Sequence, residues 1–494
     1  MFDKEARSIR WLALGVFAAL TGCAAVGPNY VAPKLSEADV PARWTSRTDV
    51  PPKASQAEGA AEHSLQWWSE LSDPALDRLV TEAFKSSPTL EIALAKLRQS
   101  RSAYAQSEAL TSPSVGSSAG TQRSSTESSG RTERESWLSM NASWEIDLFG
   151  AVRRGKEGAL AREGVQLATL ADVRVSLSAD VTDAYLSHRA CQSRLALSEQ
   201  EVVSREATEK LTADSIDAGF TAPYQGIRST ASVAEARTQL AATRAQCERV
   251  ENLLTRLTGV GRPALMAILA EKPTGLDRLP VPKHFSIAVP REALMQRPDI
   301  RAAERGVAAA SADIGLAEAD RYPRIALNGT LGYTASGTSG SGALSFGTWS
   351  FGPSISLPIF DGGRRKAVVE MAKAKYEEAL AEFKTVTRRA IQEVEDALTR
   401  YAAAHERAEN ARTSASKYQQ FFEAVEARYR EGASNLLELE DARRAMLSAQ
   451  KTMLGVQQER LQAWVALNRA TGGAAQYEPD GGGVPVTAAR AASY

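Results

Sequence analysis

Residues 137–148 read WLSMNASWEIDL, and from Leu138 onward apolar side chains at even positions alternate with polar ones at odd positions. A period of two predicts a β-strand with one apolar and one polar face. Residues 113–123, 323–335 and 345–359 also alternate, the first only weakly because its side chains are small. Strands of this length with aromatic residues towards their ends are typical of transmembrane barrels. A small soluble sheet would alternate in the same way, so both interpretations stay open.

The N-terminus predicts export. Lys4, Arg7 and Arg10 precede an apolar run at residues 11–20, which is too short to span a bilayer. The run leads into Leu-Thr-Gly-Cys23, which resembles the cleavage box of bacterial lipoproteins. The resemblance implies that Cys23 becomes a lipidated first residue anchored in the outer membrane. An ordinary signal peptide with an incidental cysteine is the alternative.

The rest of the chain contains no apolar run of about 18 residues, so any further membrane crossing must use the predicted strands. Four strands cannot close a barrel, and an edge exposed to lipid leaves backbone N–H and C=O groups unsatisfied. The protein is therefore expected to oligomerise. Two, three or four copies would supply eight, twelve or sixteen strands, and this argument does not choose between them.

The mature chain repeats itself. Four structural landmarks recur at offsets of 210, 210, 211 and 213 residues: Pro88 and Pro298, Pro113 and Pro323, Phe149 and Phe360, and Gly219 and Gly432. The prolines mark a helix start and a helix end, and the glycines interrupt a helical pattern. The sequence therefore predicts a duplicated unit of helix, strand, strand, long helix, turn and helix.

These landmarks divide the chain into six predicted segments. They are a signal peptide (1–22), a lipid-anchored extended segment (23–72), a first repeat (73–260, with strands at about 113–123 and 136–148), a linker (261–290), a second repeat (291–471, with strands at about 323–335 and 345–359) and a flexible tail (472–494).

The predicted helices are longer than a globular domain requires. From Phe383 to Tyr429, apolar or small residues recur in steps of three and four, which predicts left-handed coiled-coil packing. At 1.5 Å per residue this stretch alone would span roughly 70 Å. Because the opposite face is rich in charged residues, we expect a hollow helical cylinder and not a solid bundle.

The long helices reverse at two glycine-containing turns, and we expect these turns at the end of the molecule farthest from the strands. A glycine at such a turn supplies the left-handed residue that closes a helix. The turns are expected to be exposed, nearly apolar and duplicated, which favours a role in docking a partner; plain connections are the alternative. The proposed docking residues are Gly219, Phe220, Thr221, Gly432, Ala433 and Ser434.

Composition argues against nucleic-acid binding and against catalysis. Acidic and basic residues number 59 each, so no net charge recruits a polyanion. The four histidines (His63, His188, His284 and His405) show no metal-ligand spacing. The chain also lacks a phosphate-binding Walker sequence. We therefore expect no enzyme and no cofactor apart from the lipid on Cys23.

Two cysteines flank the first turn symmetrically. Cys191 and Cys247 each lie 28 residues from Gly219, so two antiparallel helices that reverse there would bring them side by side. The periplasm is oxidising, which favours a disulfide across this hairpin. Two buried, reduced cysteines are the alternative.

Several specific strings resemble the TolC-type outer-membrane efflux family, in particular its OprM/NodT lipoprotein branch. They are Val26-Gly-Pro-Asn-Tyr30, Trp144-Glu-Ile-Asp-Leu-Phe-Gly150, Gln296-Arg-Pro-Asp-Ile-Arg301 and Leu357-Pro-Ile-Phe-Asp-Gly-Gly363. The resemblance covers nearly the whole mature chain. It implies a mainly α fold with transmembrane β-strands: a homotrimer with a twelve-stranded β-barrel on a long periplasmic α-helical barrel. It also implies a periplasmic adaptor and an inner-membrane transporter of the resistance-nodulation-division type as partners.

The same resemblance assigns residues to a gate. Glu438 and Asp441 match acidic residues that face the pore in the family, and Tyr429 matches a tyrosine that ties neighbouring helix pairs together. Where the family has a charged latch, this chain has Ser434 and Gln225, which leaves a neutral hydrogen bond between Tyr429 and Gln225. Arg228, the counterpart of Asp441 in the first repeat, is then a possible partner for the acidic residues.

The sequence thus predicts a passive outer-membrane exit duct for drugs or other small toxic solutes, opened at its periplasmic tip by the adaptor and transporter. One alternative is the outer-membrane duct of type I protein secretion. Another is a periplasmic coiled-coil lipoprotein scaffold, which would explain the hairpins and the lipid but not the duplicated alternating strands.

Overall fold

The computed structural model describes most of the chain. Cys23, the predicted signal peptide and residues 474–494 lie outside them. The described residues are 25–33, 40–41, 44–46, 66–126, 131–271, 279–280, 294, 297–338 and 344–473.

The described elements are predominantly helical. After a short 3-10 helix, Trp67–Leu71, they follow in chain order: α1 (Pro74–Ser86), α2 (Pro88–Ala109), β1 (Ser114–Thr126), β2 (Arg131–Ile146), α3 (Ala151–Asp217), α4 (Pro223–Thr258), α5 (Arg262–Ala270), α6 (Pro298–Ala319), β3 (Arg324–Thr338), β4 (Leu344–Ser356), α7 (Arg364–Arg430) and α8 (Leu436–Ala470).

The predicted duplication is confirmed. Elements α2, β1, β2, α3 and α4 recur in the same order as α6, β3, β4, α7 and α8. Both long helices, α3 and α7, have 67 residues, and neither contains a proline that would interrupt the backbone hydrogen bonds. Among the described residues no single helix is both long enough and apolar enough to cross a membrane. The consecutive helices α4 and α5, which are bent by 107° relative to each other, reach that length and apolarity only when they are taken together.

The two hairpin turns have the same backbone structure. Gly219 and Gly432 adopt left-handed φ angles of 78° and 75°. In each turn, the amide after the glycine donates a hydrogen bond to a carbonyl in the last turn of the preceding helix. Phe220 N donates to Ser215 O at 2.9 Å, and Ala433 N donates to Arg428 O at 2.8 Å. Such bonds satisfy carbonyl groups that a helix end otherwise leaves free.

The four strands form one antiparallel sheet in the order β1-β2-β3-β4. The predicted alternation is confirmed, because registers such as Trp144 opposite Leu327 and Leu331 opposite Trp349 bring the apolar residues onto one face. On the other face, Ser143 donates to Asn328 (2.9 Å), which donates to Ser354 (2.8 Å). The bulky apolar residues are exposed in the single chain.

The predicted strand bounds were partly wrong. β2 begins at Arg131, five residues before the expected start, because Ser, Thr, Glu and Arg side chains pair well in a strand without alternating in polarity. β2 also ends at Ile146: the Asp147 carboxylate accepts the amides of Val152 (3.1 Å) and Arg153 (2.8 Å) and starts α3. β4 ends at Ser356, before Pro358, which has no amide for a ladder.

The coiled-coil seam predicted along α7 is largely buried, with one exception. Phe383, Val394, Phe422 and Val425 are all buried, as the spacing predicts. Tyr418 is not: its side chain is 43% exposed. The steps of three and four place Tyr418 near the seam, but α8 approaches α7 through Phe422, Val425 and Leu439 and leaves Tyr418 to one side.

The chain forms two compact units. The first contains residues 1–34, 94–167 and 301–385, including the sheet, and has a small core around Ile314 and Val369. The second contains residues 35–93, 168–300 and 386–494. Its largest core cluster gathers Trp67, Trp68, Leu76, Leu79, Tyr185, Leu186, Leu254, Leu265, Leu269 and Trp464.

Arg297 explains part of the Gln-Arg-Pro-Asp-Ile string. Its buried guanidinium donates to Asp299 (2.8 Å), to Glu393 of α7 (2.7 Å) and to the carbonyl of Ala470 at the end of α8 (2.6 Å). Burial disfavours the charge, but the hydrogen bonds to Asp299 and Glu393 raise the pKa of the guanidinium. Arg297 therefore joins three helices of the second unit and caps one of them.

We expect the substitution Arg297→Met to destabilise the second unit by about 1–3 kcal/mol, because the carbonyl at the end of α8 loses its buried donor and two partly exposed carboxylates lose a hydrogen-bonded cation. The exposed Arg388→Met on α7 is the control and should change stability by less than about 1 kcal/mol. Thermal unfolding followed by circular dichroism in detergent would measure both. Equal midpoints for the two variants would contradict this role for Arg297.

Candidate functional site

The predicted acidic residues lie in α8 just after the second turn; Asp441 is exposed and Glu438 is half-buried. Glu438 accepts hydrogen bonds from Arg428 (3.2 Å) and from the Ser434 hydroxyl. Asp441 pairs with Arg444 at 2.7 Å. Each carboxylate therefore lies beside an arginine of its own hairpin. That these residues form rings facing a pore stays a prediction.

The neutral bond predicted between Tyr429 and Gln225 is absent within one chain. The Tyr429 hydroxyl lies 3.4 Å from the Thr212 hydroxyl, because α7 packs against α3 at this level. Gln225 instead donates to the Tyr224 hydroxyl at 3.2 Å. Arg228 is exposed, and within the described residues the basic partners of the two acidic side chains are Arg428 and Arg444.

A charged site that the sequence interpretation missed lies farther along α8. Arg443 is only 1% exposed. Its guanidinium pairs with Glu440, donates to the Thr208 hydroxyl of α3 at 2.7 Å and lies 5.5 Å from the centre of the Phe422 ring. Burial lowers the pKa of this guanidinium, and Glu440 opposes the shift. An arginine nevertheless remains charged.

The site extends to α4. The Ser232 hydroxyl donates to Glu440 (3.2 Å) and accepts from Arg205 of α3 (2.7 Å). Arg205 also donates to Glu201 at 2.6 Å. We call the set Glu201, Arg205, Thr208, Ser232, Glu440 and Arg443 the Arg443 network. Its two carboxylates balance its two guanidinium groups, and it joins the first hairpin to the second.

The sequence did contain a signal for this network. Leu436, Leu439, Met446 and Leu447 of α8 are buried at helical spacing, and Arg443 falls within the same stripe. A charge in an apolar stripe is rarely buried without partners. The neighbouring Arg444 obscured the pattern, since two adjacent arginines resemble a solvated face.

Cys191 and Cys247 lie side by side on α3 and α4. Their Cα atoms are 5.6 Å apart, within the range that a disulfide requires, and the structure joins their Sγ atoms. His188, one turn away, is fully buried with its Nε2 atom 3.6 Å from Glu251. Burial, together with the charge of Arg189, lowers its pKa to about 4, so this histidine is neutral.

Residues 26–30 are held tightly in the first unit, three residues after Cys23. The Val26 amide donates to the Phe149 carbonyl at 3.0 Å, and Arg154 donates to the Val26 carbonyl (3.1 Å) and to Asn29 (2.9 Å). Gly27 has a φ of 87°, and a Cβ there would lie 2.4 Å from the backbone of Gly315. Only glycine fits.

The described residues offer no cluster of three histidine, cysteine or acidic side chains that could hold a metal ion. His188 is buried in the helical core and His405 is exposed on α7. His63 and His284 lie outside the described residues.

The family model described as outer membrane efflux protein matches residues 79–260 and 289–473, which are the two repeats. The antibiotic efflux pump outer membrane protein ArpC of Pseudomonas putida is 31% identical, covering 94% of this chain and 95% of that protein. The toluene efflux pump outer membrane protein TtgC of the same species has the same identity and coverage.

Solved structures of outer-membrane channels are similar to this chain in fold. The outer-membrane channel OprN superposes with a TM-score of 0.78 at 31% identity, covering 91% of this chain and 99% of that one.

We expect Arg443→Met to destabilise the packing of the two hairpins by about 3–5 kcal/mol, because Glu440 then stays buried without its counter-charge. The double substitution Arg443→Met/Glu440→Leu removes both charges and should recover most of that loss. Arg444→Met breaks only an exposed pair and should cost less than about 1 kcal/mol. Thermal midpoints in detergent compare the three variants, and a double variant no better than Arg443→Met would refute the coupling.

Proposed function

This chain belongs to the outer membrane efflux protein family, and from that premise we propose that it is the outer-membrane channel of a tripartite efflux pump. The observation that supports the proposal best is the four-stranded sheet, with bulky apolar side chains exposed on one face and a hydrogen-bonded polar ladder on the other. Lipid would cover the apolar face, and water would fill the space along the polar face.

The proposal requires several copies of the chain. Among the described strands β1 and β4 form the outer edges of the sheet, and an unpaired edge cannot lie in lipid. Three copies would close a twelve-stranded barrel, as the family resemblance implies. Each β4 would then pair with the β1 of the next copy.

The duplication supports a register for that pairing. Within the chain, Trp144 of β2 lies opposite Leu327 of β3. Their counterparts at the repeat offsets are Ile355 of β4 and Ser117 of β1. In this register the large apolar residues of β4 share a face with small residues of β1, so bulky side chains of one copy would cover the small ones of the next.

The acidic residues of the second turn would then form two rings. Glu438 and Asp441 lie three residues apart on one helix face, so threefold symmetry would stack two rings of three carboxylates. Acidic rings favour cations. In the proposed mechanism the tip dilates when partners bind it, and solutes diffuse out through the tube.

The turns themselves are the proposed docking points for a periplasmic adaptor and, through it, an inner-membrane transporter driven by protons. The first turn offers Phe220, which is 87% exposed, beside Thr221. The second offers only small residues, Ala433 and Ser434. The proposed cargo is small toxic solutes chosen by the transporter, and no catalysis by this chain is proposed.

Cys23 is the proposed lipid anchor. Residues 26–30 support this proposal, because their fixed hydrogen bonds to Arg154 and Phe149 would hold the anchor close to the first unit. We further propose that the Cys191–Cys247 disulfide forms in the oxidising periplasm and ties the first hairpin together.

In planar bilayers the purified protein should conduct in discrete steps and prefer cations. Glu438→Ala/Asp441→Ala should lower the cation-to-anion permeability ratio at least about twofold, because it removes both acidic rings. Glu406→Ala/Glu409→Ala removes two exposed carboxylates at the same spacing on α7 and is the control. Reversal potentials in a salt gradient measure the ratio. Absence of conductance would contradict the proposed channel function. An unchanged cation-to-anion permeability ratio would only exclude Glu438 and Asp441 from the pore.

Replacing the lipidated residue tests the membrane-spanning role separately. A Cys23→Ala variant with an ordinary signal peptide should still need detergent for extraction, because the apolar face of the sheet remains in lipid. Fractionation with carbonate and then with detergent gives the answer. A periplasmic scaffold held only by its lipid would instead appear in the soluble fraction.

A further inference from the structure

Two arginines lie opposite each other near the loop end of the sheet. In the register of β1 and β2, Arg123 is the direct partner of Arg134. Directly opposed residues of an antiparallel pair have Cβ atoms about 5 Å apart on one face, and like charges there destabilise the pairing. Both side chains are exposed, and within the described part of the chain neither has an acidic partner. An anion bound between them would remove this repulsion.

The two arginines lie on the apolar face of the sheet. Because side chains alternate along a strand, Arg134 shares its face with Leu138, whereas the nearby acidic residues Glu133 and Glu135 lie on the polar face. Arg123 belongs to the same face as Arg134 through the register. Among the described residues, the loop-side half of the apolar face therefore carries two positive charges and no negative one.

The arginine pair lies just beyond the apolar band. Leu138 is the last large apolar residue of β2 on this face, and Tyr333 lies opposite it on β3. Arg134 is four residues beyond Leu138. That spacing corresponds to about 13 Å along a strand and, at the tilt of barrel strands, to about 10 Å in depth. Lipid headgroups begin just outside the hydrocarbon core, so the arginines would lie at headgroup level.

Hydroxyl groups surround the pair. On the side of the apolar band, Ser136 and Thr121 are the next opposed residues of this face, and Ser136 donates to Thr121 at 3.1 Å. On the side of the loop, the next opposed residues are Ser125 and Thr132. On β3, Gly337 lies beside the second arginine and leaves space above the sheet. Guanidinium groups bind phosphate through two parallel N–H donors, and hydroxyl groups add further single bonds.

We propose that Arg123 and Arg134 together bind a phosphate group of a glycolipid in the outer leaflet. This inference rests on the proposed membrane-spanning role of the sheet. The helices leave the strands at the opposite end and lie in the periplasm, so the arginine pair faces the outer leaflet. That leaflet is rich in phosphorylated glycolipids, which makes lipid phosphate the anion available at this depth. The bound lipid neutralises the two like charges and fixes the depth of the sheet in the membrane.

The test is the binding of lipid A, a phosphorylated glycolipid, to the purified full-length protein in detergent, followed by native mass spectrometry. Arg123→Gln/Arg134→Gln should weaken binding at least about tenfold, because it removes several charge-assisted hydrogen bonds. The matched control is Arg388→Gln/Arg400→Gln, which removes two exposed positive charges from α7 and should leave binding unchanged. Dephosphorylated lipid A should bind the unaltered protein no better than lipid A binds the Arg123→Gln/Arg134→Gln variant.

A second variant separates lipid binding from folding. Arg123→Glu replaces a repulsive cross-strand pair with an attractive one, so the midpoint of thermal unfolding should not fall although lipid A binding does. Unchanged binding of lipid A by Arg123→Gln/Arg134→Gln would overturn the proposed site. Binding of inorganic phosphate as tight as that of lipid A would also overturn it, because the ligand would then be free phosphate.

Bilayer conductance distinguishes this proposal from the channel function. Arg123→Gln/Arg134→Gln should still conduct, because the arginines lie outside the pore. A protein that conducts while its lipid A binding does not depend on the two arginines would contradict the lipid site alone. A protein that neither conducts nor binds lipid A would contradict both proposals.

Discussion

The structure depends on the requirement that backbone N–H and C=O groups in a sheet have partners. Three ladders inside the chain meet this requirement between β1 and β2, β2 and β3, and β3 and β4. The outer sides of β1 and β4 do not meet it alone, and the apolar face makes water an unsuitable partner for that surface. Because β2 and β3 join one repeat to the other, the same pairing between β4 and the β1 of another copy would complete the ring.

The Arg443 network fixes how α3 and α8 pack within one chain. Where α3 meets α8 within a chain, Arg443 is almost completely buried and has Glu440, Thr208 and the ring of Phe422 around it. A buried guanidinium tolerates only arrangements that keep those partners, so it fixes one geometry.

Most of the architecture could be predicted from the sequence, because it follows from local patterns. Alternation around Trp144 predicts the strands, glycines at 219 and 432 predict the turns, and the common offset predicts the duplication. Strand ends were harder: β2 extends to Arg131 through residues whose polarity does not alternate, and it stops where the Asp147 carboxylate caps α3. The burial of Arg443 and the exposure of Tyr418 were both predicted wrongly, and for the same reason. Helical spacing tells which residues share a face but not how closely the next helix approaches that face.

The sequence by itself determined the elements, their order and the repeat, since these follow from periodicity and from turn residues. Only the tertiary structure decided which charges are buried, which aromatic residues remain uncovered and that residues 26–30 are held by Arg154. Those outcomes depend on distances between residues far apart in the chain. A contact such as that between Arg443 and Thr208 spans more than two hundred residues, and no local pattern specifies it.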